Sequence, residues 1–235
     1  MKYNIVTTIN NDYMPFGILF INSLFDNIDL DYINKIYVFD TGLNDTDRNF
    51  LQLFPQVEIM ETPHNTKKVQ MHDKQWQKNV YSKTSFLLQI IKKDNLPTIM
   101  MDSDCVFVSN FFDLLDPSKD FLLCERTRTN FSKYIGSFFV AHNVELAEEF
   151  IGHWIKEIES GTGKHKESPA LARIVDSYNN IGTLPEYKVS FFSPTGKVPT
   201  HETRIIHLKS DAGRETIEKR INQPLIKDYV RRYLK

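Results

Sequence analysis

The sequence predicts an α/β domain with a mostly parallel central sheet flanked by helices, and three observations carry that prediction. Short runs of strand formers alternate with segments of helical periodicity along the first half of the chain. Three of the strand ends are polar, at Thr7 to Tyr13, Asp40 to Gly42 and Asp102 to Asp104, which suits an open sheet that presents ligands beyond its carboxyl edge. Hydrophobic residues make up 41% and charged residues 25% of 235, so one large domain can bury a substantial core.

Taken in order, Tyr3 to Thr8 reads as a strand and Ile9 to Tyr13 as a polar loop. Pro15, suited to a first helical turn, opens an apolar helix over Phe16 to Phe25. Ile33 to Phe39 is a second strand, and Asn44 can cap a short helix through about Leu53. Val57 to Met60 is a third, short strand. Glu61 to Lys78 shows no sustained period and reads as a surface loop, and from Val80 a helical stripe runs through Thr84, Leu87, Leu88 and Ile91 to Lys92-Lys93. Asn95-Leu96-Pro97 ends that helix. Further strands are expected at the four residues Thr98 to Met101, which run into the acids with a second apolar run at Cys105 to Val108 behind them, and at Phe121 to Cys124, Tyr134 to Ala141, Val189 to Phe192 and Thr203 to His207, with a short helical turn at Phe111 to Leu115. Asn143 can cap a helix striped by Ala147, Phe150, Ile151, Trp154 and Ile158, and Glu167 to Val175 can form another. The tail from Ile217 to Lys235 reads as a helix with one basic side, at most a peripheral membrane contact.

Charge and cysteine usage narrow the class. A formal net charge of -1 gives no pull toward nucleic acid. Cys105 and Cys124, in or beside apolar strands, suit buried thiols in a reducing compartment, and a cytoplasmic location is expected. The N-terminus turns polar too soon for a signal peptide, and no run approaches the roughly 20 apolar residues of a membrane span. No G-x-G-x-x-G follows the first strand, so a Rossmann dehydrogenase is not expected.

The stretch Thr98 to Ser109 places two carboxylates between apolar runs. Such acids lose hydration and need a donor or a cation nearby. On an extended chain Asp102 and Asp104 would project to one side and Ser103 away, so that both acids could address one hard divalent ion.

Several segments together carry a family resemblance: Asn4-Ile-Val-Thr-Thr with Asp12-Tyr13 and Ser23-Leu24, then Val38-Phe-Asp-Thr-Gly-Leu, Tyr81-Ser-Lys83, Met101-Asp-Ser-Asp and Ile206-His207-Leu-Lys209. Their order and spacing, over about residues 3 to 214, resemble the GT-A glycosyltransferases related to glycosyltransferase family 8. The resemblance implies one GT-A type domain over 1–235, with a nucleotide-binding half at 1–110 and an acceptor-binding half at 111–235. It further implies that Thr7, Thr8 and Asn10 flank a nucleobase on which Tyr13 stacks, and that Lys83 contacts the donor. Asp40 and Ser103 are counted with the substrate-binding residues. His207 matches the family's third metal ligand beside Asp102 and Asp104, and Lys209 or Arg214 would hold the diphosphate. Two departures stand out: Ile135-Gly136-Ser137 replaces the family's Asn-Ala-Gly or Asn-Ser-Gly, and no Lys-Pro-Trp follows the late histidine.

The expected function is a metal-dependent transfer of a sugar from a nucleotide diphosphate, a UDP-sugar, to a hydroxyl of a glycan or other glycoconjugate. Mn²⁺ or Mg²⁺ fits the ligand set, and the histidine tilts the choice toward Mn²⁺. Asp104 holds the ion, and Glu167, opening a helix after a Gly-containing loop, is the candidate for acceptor-side catalysis. Two alternatives belong to other classes. A haloacid-dehalogenase-type phosphatase also carries Asp-x-Asp after an apolar strand, but usually on the first strand, whereas about a hundred residues precede it here. A non-catalytic nucleotide-sugar binding protein would keep the donor site without a working acceptor side.

Overall fold

The computed structural model describes residues 1–62, 74–127, 132–160, 167–191, 199–208 and 227–233. Seven strands form one sheet in the order β3-β2-β1-β4-β7-β6-β8. They are β1 (Tyr3–Ile9), β2 (Ile33–Asp40), β3 (Val57–Glu61), β4 (Thr98–Met101), β6 (Phe121–Glu125), β7 (Tyr134–Ala141) and β8 (Ile181–Pro185). The first four are parallel to one another, β7 lies antiparallel to both β4 and β6, and β8 is parallel to β6. A second sheet pairs β5 (Cys105–Phe107) with β9 (Ile205–His207), antiparallel.

Helices cover both faces. On one side α1 (Met14–Asn27) packs Phe20, Ile21 and Leu24 against Ile5, Ile99 and Val140. On the other, α3 (Lys74–Asp94), α4 (Val144–Ser160) and α5 (Glu167–Ile174) pack against Met100, Phe121 and Phe139, around the fully buried Trp154. The α4 stripe expected from the sequence is the buried face observed. Helix ends follow the local chemistry. Asn44 Oδ1 accepts from the Asp47 N–H to cap α2 (Asp45–Leu51), and Asn143 Oδ1 accepts from the Glu145 and Leu146 N–H groups. Asn95, at φ 53°, takes the left-handed turn that ends α3 before Pro97.

Several expectations need correction. The Glu61 to Lys78 segment is not all loop, because α3 already begins at Lys74. Its first turns are rich in Lys and Gln, which are good helix formers without an apolar period, so periodicity misses them. Lys83 consequently lies mid-helix, not early in it. The chain is not extended through the acids: β4 ends at Met101 as read, the acids sit in a turn, and the chain crosses into the second sheet. Val189 closes the short helix α6 (Glu186–Val189), and of the strand expected at Val189 to Phe192 the described residues show a bridge from Phe191 to Ile206, while Phe192 lies outside them. Strand β8 went unforeseen, since Ile181-Gly-Thr-Leu-Pro carries few strand formers and borrows its pairing from β6. From the expected tail helix, Lys227–Val230 is helical and continues as a 3₁₀ turn whose Tyr233 is buried. No helix among the described residues is long and apolar enough to cross a membrane.

The second sheet is anchored by one buried hydroxyl. Ser23 Oγ, fully buried on α1, accepts from the Phe107 N–H at 3.0 Å and donates to the Phe20 carbonyl at 3.2 Å. Asn27 reaches the Phe107 carbonyl at 3.2 Å and also bonds the Tyr233 hydroxyl. Ser23→Ala would leave the Phe107 N–H buried without a partner, a cost of about 1–3 kcal/mol. That loss is expected in urea unfolding, as a lower midpoint with an unchanged slope.

Candidate functional site

The site is built where the chain changes sheets. Met101, the last residue of β4, pairs with Phe138 of β7, and the Asp102 N–H then donates to the Ser137 carbonyl at 3.2 Å. Ser103 and Asp104 complete a turn, after which Cys105 pairs with His207 across the second sheet. The Leu208 N–H closes on the Asp104 carbonyl at 2.7 Å. The two acids therefore converge through a turn, and the side-chain alternation of a strand plays no part.

His207, only 2% exposed, presents its ring to both acids. Nε2 lies 2.9 Å from Asp104 Oδ1 and 3.6 Å from Asp102 Oδ2. Among the described residues, ligand atoms of Asp104, Cys105 and His207 all lie within 4.8 Å of one another. Burial first, and then the charges of Asp104 and Asp102, push the Cys105 thiol well above its ordinary range, and its side chain belongs to the apolar core. A protonated thiol is a poor ligand, whereas two carboxylates and an imidazole suit a divalent ion that prefers oxygen and nitrogen. Of that cluster, Asp104 and His207 therefore offer the suitable donors, and Asp102 lies beside them at 3.6 Å from the ring.

Lys83 lies between this acidic turn and Glu167. Its ammonium pairs with Asp102 and lies 3.4 Å from Glu167 Oε1 and 3.4 Å from the Gly136 carbonyl. Burial alone would pull the ammonium's pKa down, but Asp102 and Glu167 outweigh it and hold the value well above that of an ordinary lysine. Lys83 is 5% exposed, so it is no surface lysine. Glu167 opens α5, where its charge complements the helix dipole. Its carbonyl accepts from Trp154 Nε1 at 3.0 Å, and the adjacent Ser168 Oγ accepts from the Gly136 N–H at 3.1 Å. A Cβ on Gly136 would stand 2.6 Å from the Glu167 carboxyl carbon, so the carboxylate's position requires a glycine there. The β6–β7 register shifts at this same place, which frees the backbone around Gly136 and Ser137 to face the site.

The remaining expected residues fall along the carboxyl edge with varied surroundings. The ends of β1 and β2 are stitched together, with Thr41 donating to the Ile9 carbonyl and Asn11 to that of Gly42. Asn10 Oδ1 accepts from the Tyr13 N–H, and the Tyr13 ring lies half-buried against Phe16. Thr7 is fully buried, whereas Thr8 is partly open to solvent. Asp40 has both oxygens engaged within the protein: Oδ1 accepts from the Gly42 and Leu43 N–H groups, and Oδ2 pairs with Arg48 at 2.6 Å. Ser103 is buried inside the turn. Lys209 and Arg214 lie outside the described residues.

Sequence reasoning missed the residues that hold the site from behind. Ser190 Oγ lies 3.0 Å from His207 Nδ1 and 3.3 Å from Ser137 Oγ, and both serines are buried. The only signal was a small polar residue inside each of two apolar runs, at Ser137 and Ser190.

Comparison with known proteins agrees with this architecture. No curated protein sequence matches the chain significantly. Among solved structures, the apo bifunctional glycosyltransferase WbbM superposes with a TM-score of 0.62 at 12% identity, over 100% of this chain and 52% of its own. The chain thus spans about half the length of that protein. The galactosyltransferase LgtC, solved with donor and acceptor sugar analogues, superposes with a TM-score of 0.61 at 9% identity, covering 92% of this chain and 93% of its own. At those identities the likeness establishes the fold, that of the GT-A glycosyltransferases. The family model described as nucleotide-diphospho-sugar transferase matches residues 44–220, about three-quarters of the sequence. The chain belongs to the nucleotide-diphospho-sugar transferase family.

Proposed function

We propose that this chain is a metal-dependent glycosyltransferase that moves a sugar from a UDP-sugar to a hydroxyl acceptor on a glycan or other glycoconjugate. The observation that carries the proposal is the convergence of Asp102, Asp104 and His207 beside a buried Lys83–Glu167 pair. In this reading Asp102, Asp104 and His207 hold Mn²⁺, or Mg²⁺ in its place. The ion, when bound, supplies Lewis-acid stabilisation to the negative charge that develops on the departing diphosphate.

The chain's own residues do the rest. Lys83 keeps a fixed positive charge at the junction of the acidic turn and the acceptor side, where it orients Asp102 and Glu167. Glu167 acts on the acceptor side, as a base toward the acceptor hydroxyl in an inverting reaction or as a charge stabiliser for the sugar in a retaining one. Thr8 near the end of β1, and Asn10 and Tyr13 on the segment that follows it, line the edge where a uracil would be received; Thr7 and Asp40 support that edge from within. Ser103 shapes the turn between the acids, and Lys209 and Arg214 serve the diphosphate. A reducing, cytoplasmic setting fits the buried thiols Cys105 and Cys124. A dehalogenase-type phosphatase is disfavoured, because Asp102, its would-be nucleophile, follows the fourth strand and not the first.

Five variants test the assignment. With UDP present, Asp104→Asn and His207→Ala are expected to abolish Mn²⁺ binding measured by electron paramagnetic resonance, and His153→Ala to leave it intact; equal binding in all three would remove the metal site. Glu167→Gln is expected to lower turnover by about 10²–10⁴-fold, the range of general acid–base contributions, with UDP affinity unchanged. A protein that binds UDP-sugars but shows neither transfer nor donor hydrolysis in the parent would instead be a binding protein. Gly136→Ala is expected to mimic the Glu167 variant in turnover while keeping Mn²⁺ affinity, because the added methyl displaces the Glu167 carboxylate. Parent-like turnover in Gly136→Ala would show that the carboxylate's position is not critical.

A further inference from the structure

We propose that Ser190, backed by Ser137, is the positioning residue that presents His207 to the metal with the correct ring nitrogen free. The inference rests on the reading of His207 as a metal ligand and assigns the residues that make it one.

A neutral imidazole carries one N–H. For Nε2, the nitrogen facing Asp104 and Asp102, to offer a lone pair, the proton must reside on Nδ1. In a site where His207 is 2% exposed, that N–H needs an acceptor from the protein. Ser190 Oγ, 3.0 Å from Nδ1, is that acceptor, and its own proton can pass to Ser137 Oγ at 3.3 Å. A hydroxyl combines lone pairs with a rotatable proton, so the pair stays satisfied in that state. A backbone N–H in the same place would favour the opposite tautomer.

The backbone fixes this geometry independently of the side chains. The Ser190 N–H donates to the Glu186 carbonyl at 2.9 Å, closing α6. The next residue, Phe191, donates to the Ile205 carbonyl at 3.0 Å and accepts from the His207 N–H at 2.8 Å. Ser190 is thereby held against β9 from both directions. Ser137 adds a second tie, since its carbonyl receives the Asp102 N–H while its hydroxyl meets Ser190. One residue on β7 thus connects the segment bearing the acids to the segment bearing the imidazole.

The test is a Mn²⁺ titration of the full chain with UDP present, with free Mn²⁺ read by electron paramagnetic resonance. Ser190→Ala is expected to weaken Mn²⁺ binding by about 10–100-fold, as loss of a ligand's supporting hydrogen bond typically does. Ser190→Thr, which keeps the hydroxyl, should bind like the parent, and UDP affinity without metal should be equal in all variants. If His207→Ala and the parent bind Mn²⁺ alike, the metal assignment itself fails and the inference with it. If His207→Ala loses binding while Ser190→Ala keeps it, the metal site stands and the role of Ser190 is overturned. A measurement on the parent removes any dependence on folding of the alanine variant. Nitrogen-15 NMR of the UDP- and Mg²⁺-loaded protein, with His207 assigned by its loss in His207→Ala, should show Nδ1 protonated and Nε2 bare. Protonation of Nε2 in that state would overturn the proposal.

Discussion

The buried ammonium of Lys83 is the constraint on which the site depends. An isolated cation in that position would lose its hydration at a cost of several kcal/mol, so the fold must supply anions. It does so from two distant places, Asp102 after β4 and Glu167 at the start of α5. Each acid gains from the same charge that it neutralises, and the three groups lock an early helix, a central turn and a late helix into one arrangement. Glycine at 136 is part of this constraint, because the carboxylate fills the space that a side chain would occupy.

The sheet topology explains why the acids and the imidazole meet at all. Parallel register places the carboxyl ends of β2, β1 and β4 side by side. Antiparallel β7 then delivers the irregular Gly136-Ser137 segment against the turn that leaves β4. From there β5 departs to pair with β9, so Cys105 opposite His207 brings Asp104 next to the ring. The approach of Asp104 to His207 is a product of this sheet change and would not exist had β4 simply continued.

Much of the framework was legible in the sequence because it rests on local rules. Asn44 and Asn143 read correctly as caps, Asn95 and Pro97 as a stop, and the α4 stripe as its buried face. Asp102 and Asp104 stood out because charges between apolar runs demand partners, Lys83 through the family resemblance, and Glu167 by opening a helix after a Gly-containing loop. The identity of those partners was not legible, since the Lys83–Glu167 contact depends on how α3, β7 and α5 pack. The failures have the same origin. Alternation was expected across Asp102-Ser-Asp104 where a turn exists, and β8 was missed because its pairing with β6 is tertiary. Ser137 and Ser190 looked like ordinary small residues, and only the three-dimensional adjacency to His207 gives them meaning.

The two-stranded sheet has a kinetic consequence. Its strands are three residues each and come from positions about a hundred residues apart, so closing them is a late event with a large loop-closure entropy. β9 shares no ladder with the seven-stranded sheet, so its place is held by the pairing with β5, the Phe191 bridge and the buried Ile205 and Ile206 side chains. A ligand held across Asp104 and His207 would add a further tie between these two strands, and slowed amide exchange at Ile206 and His207 would report it.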